Sequence, residues 1–389
     1  MRKVALQGSD AHRLRRINMI ATLRAIRAAG VVPLTDLARR AGLSRPTVEG
    51  LVEELHTHGW LEEVAPEAGQ MGRPARLYRF RAATGYVVGV DIGSSSVRAQ
   101  VTDLEGHAVG LGFTRVQADY GRAERLAAVR ATMAAALREA GVTADQVLSV
   151  AVGTTGVVSP SGTVRLCVGL PEWTGLDLAA EVGRDYPCRI LVENDCNLAA
   201  LAERWAGVAR EVDDVVFVLS GVRTGAGMLV RGELHRGGRG MAGEIGALHL
   251  VGWHRAPDHL ARFAPEAAPE EVAGLVFAAA REGDPAARWA VEQYAHDLAE
   301  GIAAIVLTVD PDLVVVGGGV SRSGDVLMEP LRRHLDPLCL EPPALAISTL
   351  ADQAVVLGAV RHALNHVDEL LYDVDLPLDL TLFRQDIKA

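Results

Sequence analysis

Three residues at the end of a hydrophobic run carry the most suggestive chemistry in this 389-residue chain. "RILVENDCNLAALAE" sets Glu193, Asn194 and Asp195 between a strand-like stretch and a helix-like one. An Asp at such a junction is suited to take a proton from an attacking hydroxyl. The same carboxylate can instead accept hydrogen bonds from a hydroxyl-rich ligand, or cap the helix that follows. A second group lies near the N-terminus, where Ser44, Arg45 and Thr47 open an amphipathic segment. Ser44 is a natural helix cap, and Arg45 has the fork geometry that reads guanine. A third group, His249, His254, Asp258 and His259, offers metal-ligand types, but its spacing fits no defensible zinc pattern. No metal and no cofactor are expected.

Charge separates the first group from the second. Residues 1–82 hold 14 Lys and Arg against 8 Asp and Glu, a net of +6, while the remainder nets −16. A basic head on an acidic body points to a polyanion as the head's partner. Cys167, Cys188, Cys196 and Cys339 form no CxxC pair, which argues against a zinc ribbon and a disulfide framework. No apolar run of about 18 residues and no signal-like segment is visible, so a membrane span is not expected and the cytoplasm is.

The elements that must position these groups follow from periodicity. Leu14, Ile17, Ile20, Leu23 and Ile26 have helical spacing, with Gly30 as a stop. Thr35 is expected to cap a second helix and Ser44 a third, whose Val48, Leu51, Val52 and Leu55 make one apolar face. Ala38, Gly42, Leu43, Ser44, Thr47, Val48 and Leu51 fit a helix-turn-helix template. "WLEEV" and "ARLYRF" flank a Gly- and Pro-rich loop, as the strands of a wing do, with Arg73 and Arg76 near its tip. From Tyr86 the texture becomes α/β. A strand–turn–strand opening occurs near 86 and again near 213, which predicts two related lobes. The expected division is 1–82 for a winged helix-turn-helix, 83–192 for a first lobe, and 193–389 for a second lobe with the C-terminal helix.

"GVDIGSSSVRAQVTDLEG", "ENDCNLAALAE", "RGELHRGGRGMAGEIGALHL" and "PDLVVVGGGVSRSGDVLMEPLRRHL" occur in an order that resembles the ROK family of repressors, open reading frames and kinases. The resemblance covers residues from about 12 to about 370. It implies an α/β body of two actin/hexokinase-like lobes behind the winged head, with Asn194, Asp195 and Glu244 as ligand contacts. Two carboxylates and an amide suit a neutral polyol, a sugar or close derivative, since like charges repel. Several positions depart from the family pattern. Family kinases carry DIGGTK where this chain has Asp91-Ile92-Gly93-Ser94-Ser95-Ser96, and a Gly-rich second loop where it has "SGVRTGAGM" with Val222 and Arg223. Glycines there let backbone N–H groups approach phosphate. The family's sugar-contacting Asn is Gly169, its GEIGH His is Ala247, and its zinc cysteines are missing.

These features together predict a DNA-binding regulator, a repressor, with Ser44, Arg45, Thr47, Arg73 and Arg76 on operator DNA. The body is expected to sense a sugar-like effector and to form a homodimer or higher oligomer, and kinase activity is not expected. The alternatives are an ATP-dependent sugar kinase and a regulator whose body only dimerises.

Overall fold

The computed structural model describes residues 11–65, 76–221, 223–380 and 383. In the head, helix α1 (Ala11–Ala29) ends at Gly30, whose φ of 70° is left-handed. Its apolar stripe is rotated from the one expected. Ile20, Leu23 and Ile26 are buried, but Leu14 and Ile17 are 53% and 43% exposed. Arg16 is buried instead, because its guanidinium donates to the carbonyls of Leu371 (2.8 Å) and Asp373 (3.0 Å) at the far end of the chain. After the two-residue strand β1 (Val32–Pro33), helix α2 (Leu34–Ala41) starts with Pro33 at its N-cap and no side-chain cap. Thr35, expected as that cap, therefore sits inside the first turn. Helix α3 (Arg45–Thr57) is capped by Ser44 as expected. Strands β2 (Leu61–Val64) and β3 (Leu77–Phe80) complete a small sheet of order β1-β3-β2. Most of the intervening loop, with Arg73, lies outside the described residues.

The first lobe opens with an antiparallel meander of β4 (Tyr86–Ile92), β5 (Ser96–Asp103) and β6 (Ala108–Arg115). Helix α4 (Arg122–Ala140) leads to β7 (Val147–Thr154), parallel to β4. A ribbon of β8 (Val157–Val158) and β9 (Val164–Leu166), then α5 (Leu178–Gly183), lead to β10 (Arg189–Asn194), parallel to β7. Helix α6 (Asp195–Ala206) follows.

The second lobe repeats the plan. β11 (Val215–Ser220), β12 (Thr224–Val230) and β13 (Glu233–Leu234) form a meander. Helix α7 (Ala256–Ala261) precedes α8 (Pro269–Glu282) and α9 (Pro285–Val309). The break between α8 and α9 falls at Gly283 (φ 101°) and Asp284, whose carboxylate accepts from the N–H of Ala286 and Ala287. β14 (Leu313–Gly317), α10 (Gly324–Leu335), β15 (Ala344–Ile347) and α11 (Ala354–Leu371) end the fold. The two sheets read β10-β7-β4-β5-β6 and β15-β14-β11-β12-β13, each with the meander at one side and parallel strands at the other.

Two helices join the lobes. α6 packs on β11 and β12, and α11, grouped by sequence with the second lobe, packs on β4, β5 and β7 of the first. They cross so closely that a Cβ on Gly358 would stand 1.8 Å from the carbonyl oxygen of Leu198. One apolar core runs from Leu23, Ile26, Trp60 and Phe80 of the head through Leu104 to Val367 and Leu371 of α11. Among the described residues, no helix is long and apolar enough to cross a membrane.

Candidate effector cleft and DNA-reading face

The carboxyl ends of β4, β7 and β10 place Asp91 and Glu193 on either side of Gly153. Ligands of α/β sheets gather at such strand ends. The turn from β10 into α6 divides its functions. Asn194 is the helix cap, its Oδ1 accepting from the N–H of Cys196 (2.8 Å) and Asn197 (3.2 Å). Its Nδ2 donates to the carbonyl of Gly156 at 3.1 Å, so both ends of the amide hold protein. Asp195 accepts from the Cys196 N–H through Oδ1 at 2.9 Å.

Burial raises the Asp195 carboxyl to about 6, against the Cys196 hydrogen bonds, and Glu244 adds repulsion. Asp91 is raised to about 7, again by burial first. Arg98, 3.9 Å away, opposes that rise, while Asp195 and Asp352 reinforce it. Glu244 is raised as well, by burial. Asp91, Asp195 and Glu244 thus form one electrostatic group spanning both lobes. With carboxyls raised to about 7 and about 6, Asp91 and Asp195 can share protons near neutral pH and so both donate to and accept from hydroxyls. In the sequence, Asp91 stands out only as part of a phosphate hairpin; its place near a strand end, two residues before Gly93, is the local signal for it.

The turns that would cradle phosphate are held by side chains. In the first, the Gly93 N–H donates to Ser96 O at 2.9 Å, and buried Arg125 donates to the carbonyls of Gly93 (2.7 Å) and Ser94 (3.2 Å). Arg98 donates to Ser96 Oγ at 2.7 Å and to Asp352 at 2.6 Å, bringing a cation near the position where DIGGTK has its Lys. In the second turn Val222 lies outside the described residues, and Arg223 reaches the other lobe. Its Nη2 donates to Val168 O at 3.0 Å, and its Nε stands 3.4 Å from where a Cβ of Gly169 would lie. Arg223 therefore fills the space left by the small residue at 169.

Where the family's zinc region would lie, Trp253 is buried and donates to Leu298 O at 3.0 Å. His259 turns to Asp297, with Nε2 at 3.0 Å, while His249 and His254 meet edge to face. His296, Asp297 and Glu300 approach one another at metal-ligand distance, but Arg255 already stands 3.1 Å from Asp297 and 3.7 Å from Glu300. Burial works to raise the Asp297 carboxyl; hydrogen bonds from Arg255, His259 and His296 outweigh it and hold the group low.

On the head, Ser44 Oγ accepts from the Thr47 N–H at 3.3 Å and meets Thr47 Oγ1 at 2.8 Å. Arg45 is exposed at the first position of α3. Arg76 is exposed at the base of the wing, 3.7 Å from Glu63. Arg40, not singled out by sequence, is exposed at the end of α2 close to the start of α3.

The model of the ROK family matches residues 87–259 and 266–365, and that of the IclR helix-turn-helix domain matches residues 20–65. A xylose repressor of Caldicellulosiruptor bescii is 24% identical over 90% of this chain and 96% of its own length. A glucokinase of Thermotoga maritima is 28% identical, over 54% of this chain and 77% of its own. The crystal structure of a ROK family transcriptional regulator, a homolog of E. coli MLC protein, superposes with a TM-score of 0.68 over 93% of this chain and all of its own, at 20% identity. A Streptomyces griseus glucokinase in complex with glucose and AMPPNP gives 0.61 over 72% of this chain and 99% of its own, at 26% identity. With most of the body matched by one family model and the head by a DNA-binding one, the chain belongs to the ROK family, in the arrangement that carries an N-terminal helix-turn-helix.

Proposed function

We propose that this protein is a sugar-responsive DNA-binding repressor that works in the cytoplasm as a homodimer or higher oligomer. The observation that carries the reading is the capped helix α3, exposed on a head whose core is continuous with a ROK body. Arg45 reads bases; Ser44, Thr47, Arg40, Arg73 and Arg76 contact the backbone and minor groove. Asp195 and Glu244 bind the hydroxyls of the effector, with Asn194 fixing the turn that presents Asp195. The repressor named above supports a pentose as the first effector to test.

Genomic fragments captured by the purified chain give the operator, and fluorescence anisotropy with and without D-xylose gives the response. Capture of no preferred sequence would remove the reading.

A kinase reading draws on Asp195 alone, whose carboxyl near 6 is compatible with a base for a sugar hydroxyl. Arg223 and Ser94 in the two phosphate turns speak against it. A coupled assay with ATP and a sugar panel separates the two.

A further inference from the structure

Glu193 is a residue on which both lobes and two of their helices converge. Its side chain is 8% exposed. Oε1 accepts from the Asn194 N–H and from Asn197 Nδ2, both at 2.9 Å, and Oε2 forms an ion pair with Arg236. Arg236 is the root of the second-lobe loop that carries Glu244. Its carbonyl accepts from the Ala242 N–H at 3.2 Å, closing the loop on itself. The loop then leans on the first lobe. Arg165 donates to the Arg239 carbonyl at 3.4 Å, and a Cβ on Gly240 would meet the Val158 carbonyl at 2.6 Å. By sequence this loop belongs to the second lobe; by contact it rests on the first.

Helix α11 passes the same point, packing along α6 and touching β10, the strand that carries Glu193. His362 is within electrostatic reach of both members of the pair: burial pushes it down to about 4, Glu193 pulls it up, and Arg236 and His366 push it further down. Six residues on, Asp368 holds Arg27 of α1 at 2.6 Å. Beyond it Tyr372 bonds Arg27 at 2.8 Å, and the Leu371 carbonyl bonds Arg16. A single helix therefore runs from the Glu193–Arg236 pair to the anchor of the DNA-reading head.

We propose that Arg236 is a positioning residue for the effector contact Glu244, and that its pair with Glu193 is where the seating of the Glu244 loop is passed through α11 to α1. This rests on the reading of the body as an effector sensor. Arg236 is 43% exposed and Glu193 nearly buried, so removing Arg236 leaves a carboxylate in the interior without its charged partner, which favours discrete seated and lifted arrangements of the loop. Coupling needs such a two-state element, one that both sites bias.

The test is hydrogen exchange of the full chain without ligand, comparing Arg236→Gln with the parent. Exchange should rise about fivefold or more in the loop at 236–247, in the last turns of α11 and in α1. It should stay unchanged in α8 and α9. A rise confined to the loop would overturn the transmission, and no rise at all would overturn the positioning role. Arg236→Lys keeps the charge and should restore much of the protection of α1. If the Gln variant does not fold, Glu193→Asp carries the test: it should raise exchange in the loop and in α1 together. Parent-like exchange in both would sink the proposal. A separate arm adds D-xylose to the parent. Coupled exchange between loop and α1 with no xylose effect keeps this inference and removes the pentose reading.

Discussion

Arg27 of the head and Asp368 of α11 lie 2.6 Å apart, in a pair only partly open to solvent. The same guanidinium donates to Tyr372 OH and to the Leu104 carbonyl, so one side chain fastens α1 to two parts of the body. Arg27→Met should loosen this joint by about 1.5–3 kcal/mol, the range for hydrogen bonds to charged groups. Limited proteolysis should then cut between head and body faster than in the parent. A double-mutant cycle with Asp368→Asn should show coupling of at least about 0.5 kcal/mol. Additive effects would mean that the pair is incidental.

Arg45→Ala should weaken binding to the operator by about 1–3 kcal/mol and leave binding to unrelated DNA nearly unchanged. Anisotropy titrations on both sequences decide this. Equal loss on both would make Arg45 a phosphate contact.

The cleft carboxylates give stability a pH slope. Asp91 has its carboxyl raised to about 7 in the fold and an ordinary value near 4 when unfolded. Between those values the folded state holds the extra proton, so this group's contribution falls as pH rises from about 4 to 7. Each tenfold change in proton affinity corresponds to about 1.4 kcal/mol. Asp91→Asn should flatten the slope and raise the melting temperature at pH 8 relative to the parent. A parent and variant with parallel profiles would exclude Asp91 as the source.

Asp195→Asn should leave the fold and operator binding intact and blunt the sugar response, since the amide replaces one acceptor with a donor. Anisotropy with D-xylose measures the response. A coupling of about 1–3 kcal/mol in the parent corresponds to a roughly 5- to 150-fold loosening of the operator. A variant that responds like the parent removes Asp195 from the effector site.

Asp297→Asn should destabilise the second lobe by about 2–3 kcal/mol, because Arg255 and His259 lose a charged acceptor. The Asp297 carboxyl is held low, so its contribution is full above the ordinary Asp range and is lost as pH falls through that range and below. Thermal melts from pH 7 down to 3 should therefore bring parent and variant together. Elemental analysis of the dialysed protein should find no stoichiometric zinc; about one zinc per chain would return attention to His249 and His254.

What is legible in the sequence is mostly local. Ser44 capping α3 and the repeated meander depend on residues a few positions apart, and both are visible as pattern. Thr35 is not the cap of α2 because Pro33 already sets the start of that helix, which hydroxyl preference alone does not reveal. The rotated stripe of α1 depends on Arg16 meeting carbonyls some 355 residues away. Arg223 over Gly169 and Arg236 on Glu193 are likewise contacts between lobes; in the sequence Arg223 stands out only as a departure in a phosphate loop, and Arg236 looks like an ordinary loop residue. Chain order groups the C-terminal helix with the second lobe, but hydrophobic patterning does not say which sheet an apolar face will cover.

The crossing of α6 and α11 at Gly358 has a mechanical consequence. Backbone in near contact with backbone leaves no slack for sliding, so the two helices can change their relation chiefly by turning about that point. From Gly358 to Leu371 the helix extends roughly 20 Å at 1.5 Å per residue. A turn of about 5° at the crossing would displace its far end by about 2 Å. That end is where Arg16 and Arg27 are fastened, so a small rotation between lobes becomes an ångström-scale shift of the head. If the proposed oligomer reads two half-sites about 34 Å apart, two such shifts act on one fixed spacing of DNA grooves.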